Sequence, residues 1–156
     1  MSQTAQLVVF EIDGQKFALH LSVVQRIVRA VAITPLPQAP AIVLGIINVQ
    51  GQIVPVFNVR ERFQFPPRVL GINDQFIIAQ AAGRTVALLV DAASGVVTDA
   101  VAATVPGERI LPHLEYVEGV VKCADGLILI HNLDRFLSLT ETQQLDAALP
   151  AESGVS

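Results

Sequence analysis

The 156-residue sequence contains few reactive or charged side chains. It has one cysteine, no tryptophan and one tyrosine, and only 15% of its residues are charged. The single cysteine, Cys123, cannot form an internal disulfide, which fits a reducing compartment such as the cytoplasm. The net charge is −4 and no Lys/Arg cluster is present. Neither nucleic acid nor an anionic lipid surface is therefore an expected partner.

Long hydrophobic runs are missing as well. No apolar run approaches the roughly 18–20 residues that a transmembrane helix needs. Residues 1–13 place no basic residue ahead of their short apolar run, so they are not predicted to be a signal peptide. The sequence is nevertheless 52% hydrophobic. That content excludes disorder over the whole length and predicts a sizeable core.

The sequence also lacks the usual signatures of catalysis and metal binding. No two of its histidines, His20, His113 and His131, have metal-ligand spacing, and no glycine-rich phosphate loop is found. Glu115 and Glu118 are the one carboxylate pair on which a loop-borne hydrolytic site could rest, although a solvated loop explains both. The sequence therefore predicts no enzyme activity, no catalytic residues, no metal and no cofactor.

What the sequence does contain is a series of short segments rich in valine and isoleucine. Turn signals separate them about every ten residues, which is typical of an all-β fold. Strands are predicted at 6–12, 15–21, 26–33, 43–49, 52–59, 74–81, 84–90, 95–103, 116–123 and 127–131. The proline-containing segment 64–73 breaks the pattern and is predicted to be a linker, and 132–149 is predicted to be a helical tail.

The two sides of this linker resemble each other. An offset of 69 residues, starting at Gly14 and Gly83, relates the second and third predicted strands of the two halves, and an offset of 74 relates the last two. Ser22 and Asp91 become equivalent, and both residue types cap helices, so a short helical turn is predicted after the second strand of each half. The alternative is a chance match between two valine-rich halves. The aligned pairs are Gly14 with Gly83, Ser22 with Asp91, Gly45 with Gly119 and Asn58 with Asn132.

Five strands in about 65–70 residues suit a small closed or nearly closed barrel. We therefore predict a single unit over 1–156, all-β with short helices. It would comprise a first barrel at 6–63 and a second at 74–131, packed side by side, with the tail helix lying on one barrel. Because the aliphatic content exceeds what two small barrels need inside, the remainder predicts a docking surface and a binding module. A barrel that binds a small ligand and a hydrolase are the alternatives.

The segment Gly45–Phe63, GIINVQGQIVPVFNVRERF, resembles the signature of CheW-type chemotaxis coupling proteins. The resemblance extends over about 7–139 and includes FEIDGQKFALHLSVVQRIV, TVALLVDAASGVV and VEGVVKCADGLILIHNLDRFL. It implies two five-stranded barrels of the Src-homology-3 type. The matching signature residues are Gly45, Asn48, Gly51, Ile53, Val54, Pro55, Asn58, Val59 and Arg60.

The resemblance also implies a function. Such proteins are non-catalytic scaffolds that bridge the cytoplasmic hairpin tip of chemoreceptors to the regulatory domain of the histidine kinase CheA, in the cytoplasm at membrane-associated receptor arrays. Gly51 would lie in the kinase contact. A receptor helix would lie in the groove between the barrels, which the resemblance assigns to Val24, Arg26, Ile27, Gly45, Asn48, Gln50, Ala87, Val90, Ala93 and Val96. For the aliphatic residues among them, a place in the core is the alternative.

Two positions depart from the family pattern. Arginine is common in the family where this chain has Gln50, and glutamate is common where it has Arg26. The family's pair of opposite charges is therefore missing. Because charge matching governs the choice of partner more than affinity, this departure predicts an accessory protein matched to a particular receptor or pathway.

Overall fold

The computed structural model describes residues 4–81, 83–100, 104–106, 117–123, 126–137 and 139–149. The predictions that involve His113, Glu115 and the side chain of Cys123 lie outside this part of the chain.

Every predicted strand overlaps a strand of the structure, and the all-β prediction is confirmed. A three-residue strand, Thr104–Pro106, was not predicted separately. The strands are β1 (Thr4–Ile12), β2 (Gln15–His20), β3 (Val24–Arg29), β4 (Val43–Val49), β5 (Gln52–Phe57), β6 (Gln75–Ala81), β7 (Arg84–Val90), β8 (Ala92–Ala100), β9 (Thr104–Pro106), β10 (Val117–Cys123) and β11 (Gly126–His131). The helices are α1 (Val59–Arg62) and α2 (Leu139–Ala148), with 3₁₀ turns at Leu21–Val23 and Leu133–Arg135.

The strands form two sheets that do not divide at the linker. One sheet has the order β8-β1-β2-β11-β10-β9, and the other has the order β3-β6-β7-β5-β4. The predicted barrels, 6–63 and 74–131, are therefore corrected: each sheet combines the first two strands of one half with later strands of the other. Four pairings join the halves: the antiparallel pairs β1 with β8 and β3 with β6, and the parallel pairs β2 with β11 and β5 with β7. Parallel pairing joins strands that are distant in sequence, whereas the local pattern reveals only the hairpins.

The register of the strands preserves the predicted duplication. Ala18 of β2 lies opposite Ile130 of β11, and the offsets of 69 and 74 convert this pair into Ala87 opposite Val56, which is also observed. The bulges are equivalent too, because four residues without a directly paired partner occupy matching places: Gln25 with Ser94, and Leu44 with Glu118.

The helical turn predicted after the second strand is confirmed in the first half and wrong in the second, and neither predicted cap forms. Ser22 lies inside the 3₁₀ turn Leu21–Val23, whose N-cap is His20 without a side-chain hydrogen bond. After Asp91 the chain enters β8 directly and forms no helix. The Asp91 carboxylate instead accepts a hydrogen bond from the main-chain amide of Asp13 at 2.8 Å. Ser22 and Asp91 are both of types that favour helix caps, but Ser22 lies within a 3₁₀ turn and Asp91 binds the Asp13 amide.

The described residues form three hydrophobic clusters. The largest contains Phe10 and Phe17 from the six-stranded sheet, Ile77 and Leu88 from the five-stranded sheet, and Leu145 from α2. It is the central core between the sheets, and it confirms that the tail buries one helical stripe. The six-stranded sheet surrounds a cluster of Leu7, Val9, Ala18, Val121, Ile128 and Ile130. The five-stranded sheet surrounds Ile47, Val54, Val56, Phe76, Ile78 and Ala87.

Both sheets curl. The outer strands of the six-stranded sheet, β8 and β9, are separated by three residues, 101–103. A flat sheet of six strands would place its outer strands about 24 Å apart, whereas three residues and their flanking bonds reach about 14 Å. In the five-stranded sheet, Thr34 continues the chain beyond β3 and forms a β-bridge with Ile46 of β4. Both sheets are therefore barrel-like.

Candidate docking surface

Five of the ten predicted groove residues lie on β3 and β8, which are outer strands of different sheets. In an antiparallel pair, residues directly opposite each other share a face. Ile27 lies opposite Ile77, a residue of the central core. Val96 lies opposite Val8, on the side of β1 that also carries Phe10. We call the surface formed by β3 and β8 on this side the junction surface.

Apolar side chains remain accessible on the junction surface. Ile27 is 37% exposed and Val96 is 54% exposed. The offset of 69 makes these two residues equivalent, so each half of the chain contributes the same position. Val24 and Ala93 are also equivalent, and both are half-buried. The two sheets are linked here by a hydrogen bond, because the Ala93 amide donates to the Gln75 side-chain oxygen at 2.8 Å.

Three of the predicted groove residues do not reach the surface. Ala87 is completely buried and Val90 is 1% exposed, so both are core residues. Gly45 is buried in the chain's own fold: a Cβ at this position would overlap the carbonyl oxygen of Thr34 and lie 2.7 Å from Ile33 Cγ2. The small size of Gly45 therefore permits the Thr34 bridge that closes the five-stranded sheet, not the approach of a partner.

The turn between β4 and β5 is exposed. Gln50 and Gly51 have φ angles of 51° and 86°, which are the left-handed values that a tight hairpin of this kind requires. Asn48 accepts a hydrogen bond from the Gly51 amide at 2.8 Å, so its side chain stabilises the turn. Gly51 itself is exposed and has open space around its Cα, which leaves the predicted kinase contact accessible.

Arg26 and Gln50, the two departures from the family pattern, are neighbours in space. An Arg26 guanidinium nitrogen lies 3.4 Å from the Gln50 side-chain oxygen, and both side chains are exposed. The contact is a long hydrogen bond between a cation and a neutral amide. This edge of the molecule therefore presents a positive charge that no neighbouring carboxylate balances within the described part of the chain.

A cluster of charged side chains lies against the linker 64–73, and the sequence pattern did not predict it. It consists of Asp13, Arg60, Arg68, Asp74 and Asp91, which come from five separate segments. Arg60 contacts Asp13 at 2.7 Å and Asp91 at 2.9 Å, and Arg68 contacts Asp74 and Asp91 at 2.6 Å each. Arg60 also donates to the carbonyl oxygen of Pro66. These contacts hold the linker 64–73 against both sheets.

The charges in this cluster reinforce one another. Partial burial by itself would raise the pKa of Asp91, but hydrogen bonds from the Asp13 amide, Arg68 and Arg60 lower it below its ordinary value. A hydrogen bond to Asp74, and then one to Asp91, raises the pKa of Arg68. The signature residue Arg60 is thus an internal structural residue. No local sequence signal could have brought these five side chains together.

Further apolar side chains are exposed away from the junction surface. Ile53 follows the β4–β5 turn and is 37% exposed, and its equivalent in the second half, Leu127, is 48% exposed. On the linker, Val69 and Ile72 are 86% and 88% exposed. Their residue types alone could not show that these side chains are exposed and not buried in the core.

His131 is the one deeply buried histidine in the described part of the chain. It is 2% exposed and packs edge-on against Phe63 and Phe136, and neither ring nitrogen has a hydrogen-bond partner there. Burial, together with the nearby charge of Arg62, lowers its pKa from 6.5 to about 3. His131 is therefore a neutral core residue at physiological pH.

The described residues offer neither a metal site nor a helix that could span a membrane. They contain no group of three or more His, Cys, Asp or Glu side chains with a geometry suited to a metal ion. They also contain no helix that is both long and apolar enough to cross a membrane.

Comparison with known proteins gives consistent matches. The model of the CheW-like domain matches residues 6–141. The chemotaxis protein CheW of Rhizobium meliloti is 30% identical over 145 residues, which cover 92% of this chain and 92% of the relative. The chemotaxis protein CheW of Treponema pallidum is 25% identical, over 90% of this chain and 86% of the relative.

Solved structures agree with this result. The crystal structure of the scaffolding protein TtCheW from Thermoanaerobacter tengcongensis matches with a TM-score of 0.81 and 28% sequence identity. The match covers 89% of this chain and 96% of the scaffolding protein. The signature, the two barrel-like sheets and the extent of these matches lead to one conclusion: the chain belongs to the CheW-like family of chemotaxis proteins.

Proposed function

We propose that this protein is a non-catalytic scaffold that couples the cytoplasmic hairpin tips of chemoreceptors to the regulatory domain of a CheA-type histidine kinase. The observation that carries the proposal is the junction surface, where two equivalent outer strands expose the apolar residues Ile27 and Val96. A surface with accessible aliphatic side chains suits docking rather than chemistry.

The receptor contact would use a helix lying on the junction surface. An amphipathic helix buries a stripe of apolar side chains, and β3 and β8 offer Val24, Ile27, Ala93 and Val96 to receive it. Covering the exposed parts of Ile27 and Val96 contributes about 1 kcal/mol for each side chain. These two contributions are only part of the binding free energy, and further contacts along the helix would have to supply the rest.

The kinase contact would use the end of the five-stranded sheet. The β4–β5 turn places Gly51 and the partly exposed Ile53 there, without bulky side chains in front of the glycine. A barrel of similar shape on the kinase could pack against this end while a receptor occupies the junction surface. Two separate contacts on one rigid body provide the coupling. We expect the protein to act in the cytoplasm at membrane-associated receptor arrays.

The experiment measures binding of two probes, a chemoreceptor hairpin tip and a kinase regulatory domain from the same organism. We expect Ile27→Glu and Val96→Glu to weaken receptor binding at least tenfold and to leave kinase binding unchanged. Ile53→Glu should show the opposite selectivity. Val69→Glu is the matched control, because Val69 is an exposed apolar residue on the linker.

Two results would contradict the proposal. One is failure of both probes to bind the wild-type protein at tens of micromolar while a metabolite raises its melting temperature, which would favour a ligand-binding barrel. The other is equal loss of both contacts in all four variants.

The positions of Arg26 and Gln50 supply a test of partner choice. Restoring the family pattern with Arg26→Glu and Gln50→Arg should create a charge pair across the 3.4 Å contact. We expect the double variant to bind receptor tips from other pathways that the wild-type protein rejects. Unchanged selectivity would show that these two residues do not contact the receptor.

A further inference from the structure

Arg29, at the end of β3, has no role in the function described so far. It lies two residues beyond Ile27, so the two side chains share one face of the strand. Its direct partner on β6 is Gln75, the residue whose side chain links the sheets through the Ala93 amide. Arg29 therefore stands on the junction surface beside the exposed apolar residues.

The charge of Arg29 is not balanced within the fold. Arg60, Arg62, Arg68 and Arg84 are each ion-paired with an aspartate or glutamate. For Arg29 the described residues supply no carboxylate, although the chain as a whole carries a net charge of −4. An exposed cation beside apolar side chains is locally complementary to an acidic group at the rim of a partner's apolar surface.

We propose that Arg29 determines receptor specificity by pairing with an aspartate or glutamate of the docked receptor helix. The same helix would place apolar side chains against Ile27 and Val96. This inference rests on the proposed function and adds the chemistry of the partner: an amphipathic helix with an acidic residue beside its apolar stripe.

The geometry favours arginine for this role. Its guanidinium presents several donors in a planar fork that matches a carboxylate, and its aliphatic stem can lie along apolar surface. A pair of this kind at the rim of an interface affects association rate and discrimination between partners more than total affinity. It is also weakened by salt, because exposed charges are screened.

The test compares binding of a helical-hairpin peptide of a chemoreceptor tip from the same organism to wild-type protein, Arg29→Glu and Arg29→Met. We expect Arg29→Glu to bind about tenfold more weakly at low ionic strength, and the difference to shrink at 0.5 M salt. Arg29→Met retains much of the stem and should lose less. A peptide with the facing acidic residue changed to lysine should restore binding to Arg29→Glu and weaken binding to the wild-type protein.

Arg135→Glu is the matched control, because Arg135 is an exposed arginine on the 3₁₀ turn that follows β11. It should bind the peptide like the wild-type protein. Thermal unfolding should be the same for all variants, since Arg29 is exposed and makes no hydrogen bond that could be lost within the described fold.

The possible failures are distinguishable. If Ile27→Glu abolishes binding but Arg29→Glu does not alter it at any salt concentration, the specificity role is refuted and the scaffold function stands. If the wild-type protein does not bind receptor tips at all, the proposed function fails first. Equal losses of peptide binding in Arg29→Glu and Arg135→Glu would show that the change in net charge, and not the position of Arg29, weakens binding. That result would also refute the inference.

Discussion

The two halves of this chain share a backbone plan but differ at positions that the duplication makes equivalent. Phe57 in the first half corresponds to His131 in the second. Phe57 stacks on Phe136 with ring centroids 4.4 Å apart, and His131 meets the same ring edge-on at 5.4 Å. One aromatic residue near the molecular centre is therefore packed by an apolar ring from one half and a titratable ring from the other.

The same contrast holds at the surface. Asp91 pairs with two arginines, whereas its equivalent, Ser22, is exposed and makes no cap. At the equivalent bulges, Leu44 is partly exposed beside the linker, and Glu118 contacts His20 at 2.5 Å. Main-chain features, which are the register, bulges and exchanged strands, are common to both halves. The side chains at equivalent positions differ, because each packs against different neighbours in its own half.

The largest expected effect comes from closure of the five-stranded sheet. Gly45→Ala should lower the free energy of unfolding by about 3 kcal/mol, because its Cβ would overlap the Thr34 carbonyl and displace the bridge to Ile46. The measurement is urea unfolding. Gly51→Ala is the control, since only its positive φ opposes a side chain, at a cost of about 1 kcal/mol. Equal costs for the two variants would contradict the role of Gly45.

The next effect concerns the ion pairs of Asp91, which its equivalent in the first half, Ser22, cannot form. Asp91→Asn should cost about 2 kcal/mol at pH 7, since two arginines lose their shared carboxylate at a partly buried site. Ser22→Ala, the equivalent change, should cost close to nothing. Because the folded pKa of Asp91 is lowered, its contribution is present above the unfolded pKa and is lost as the pH falls through the folded value. The difference between wild type and Asp91→Asn should therefore shrink in acid, and a constant difference would count against the ion pairs.

The third effect is the pH dependence of stability caused by His131, which occupies the position equivalent to Phe57. In the folded protein His131 stays neutral down to pH of about 3, whereas the unfolded chain takes up a proton near pH 6.5. Stability should therefore fall between these values by about 1.4 kcal/mol per pH unit. His131→Phe copies the residue of the other half and removes this slope, so the variant should gain about 2 kcal/mol over wild type between pH 7 and pH 5. Parallel unfolding profiles for the two proteins over this range would refute the assignment.

The smallest effect concerns two caps that the halves retain in common. Asn58 accepts a hydrogen bond from the Glu61 amide and Asn132 accepts one from the Asp134 amide, both at 3.1 Å. Replacing either with alanine should cost about 1 kcal/mol by thermal unfolding. Similar costs would support the conserved main-chain plan. A large difference would show that one cap has become dispensable.

Local patterns predicted much of this fold. Valine- and isoleucine-rich segments separated by turn signals located ten strands, and Asp13–Gly14 adopts the positive φ values of 51° and 81° that its predicted turn needs. The candidate site was only partly predictable. Ile27 and Val96 were identified and are exposed, whereas Ala87 and Val90, which have the same aliphatic character, are buried. A strand buried on both faces and a strand open on one face are hard to distinguish from residue types alone.

By itself, the sequence determined the strands, their hairpins and the duplication, because these depend on side-chain periodicity and on turn residues close together in the chain. The tertiary structure alone decided that the halves exchange strands, that Gly45 faces Thr34 and that Arg29 stands on the junction surface, where no carboxylate of the described residues pairs with it. Those outcomes depend on contacts between segments far apart in sequence, and their energies are set by which surfaces finally meet.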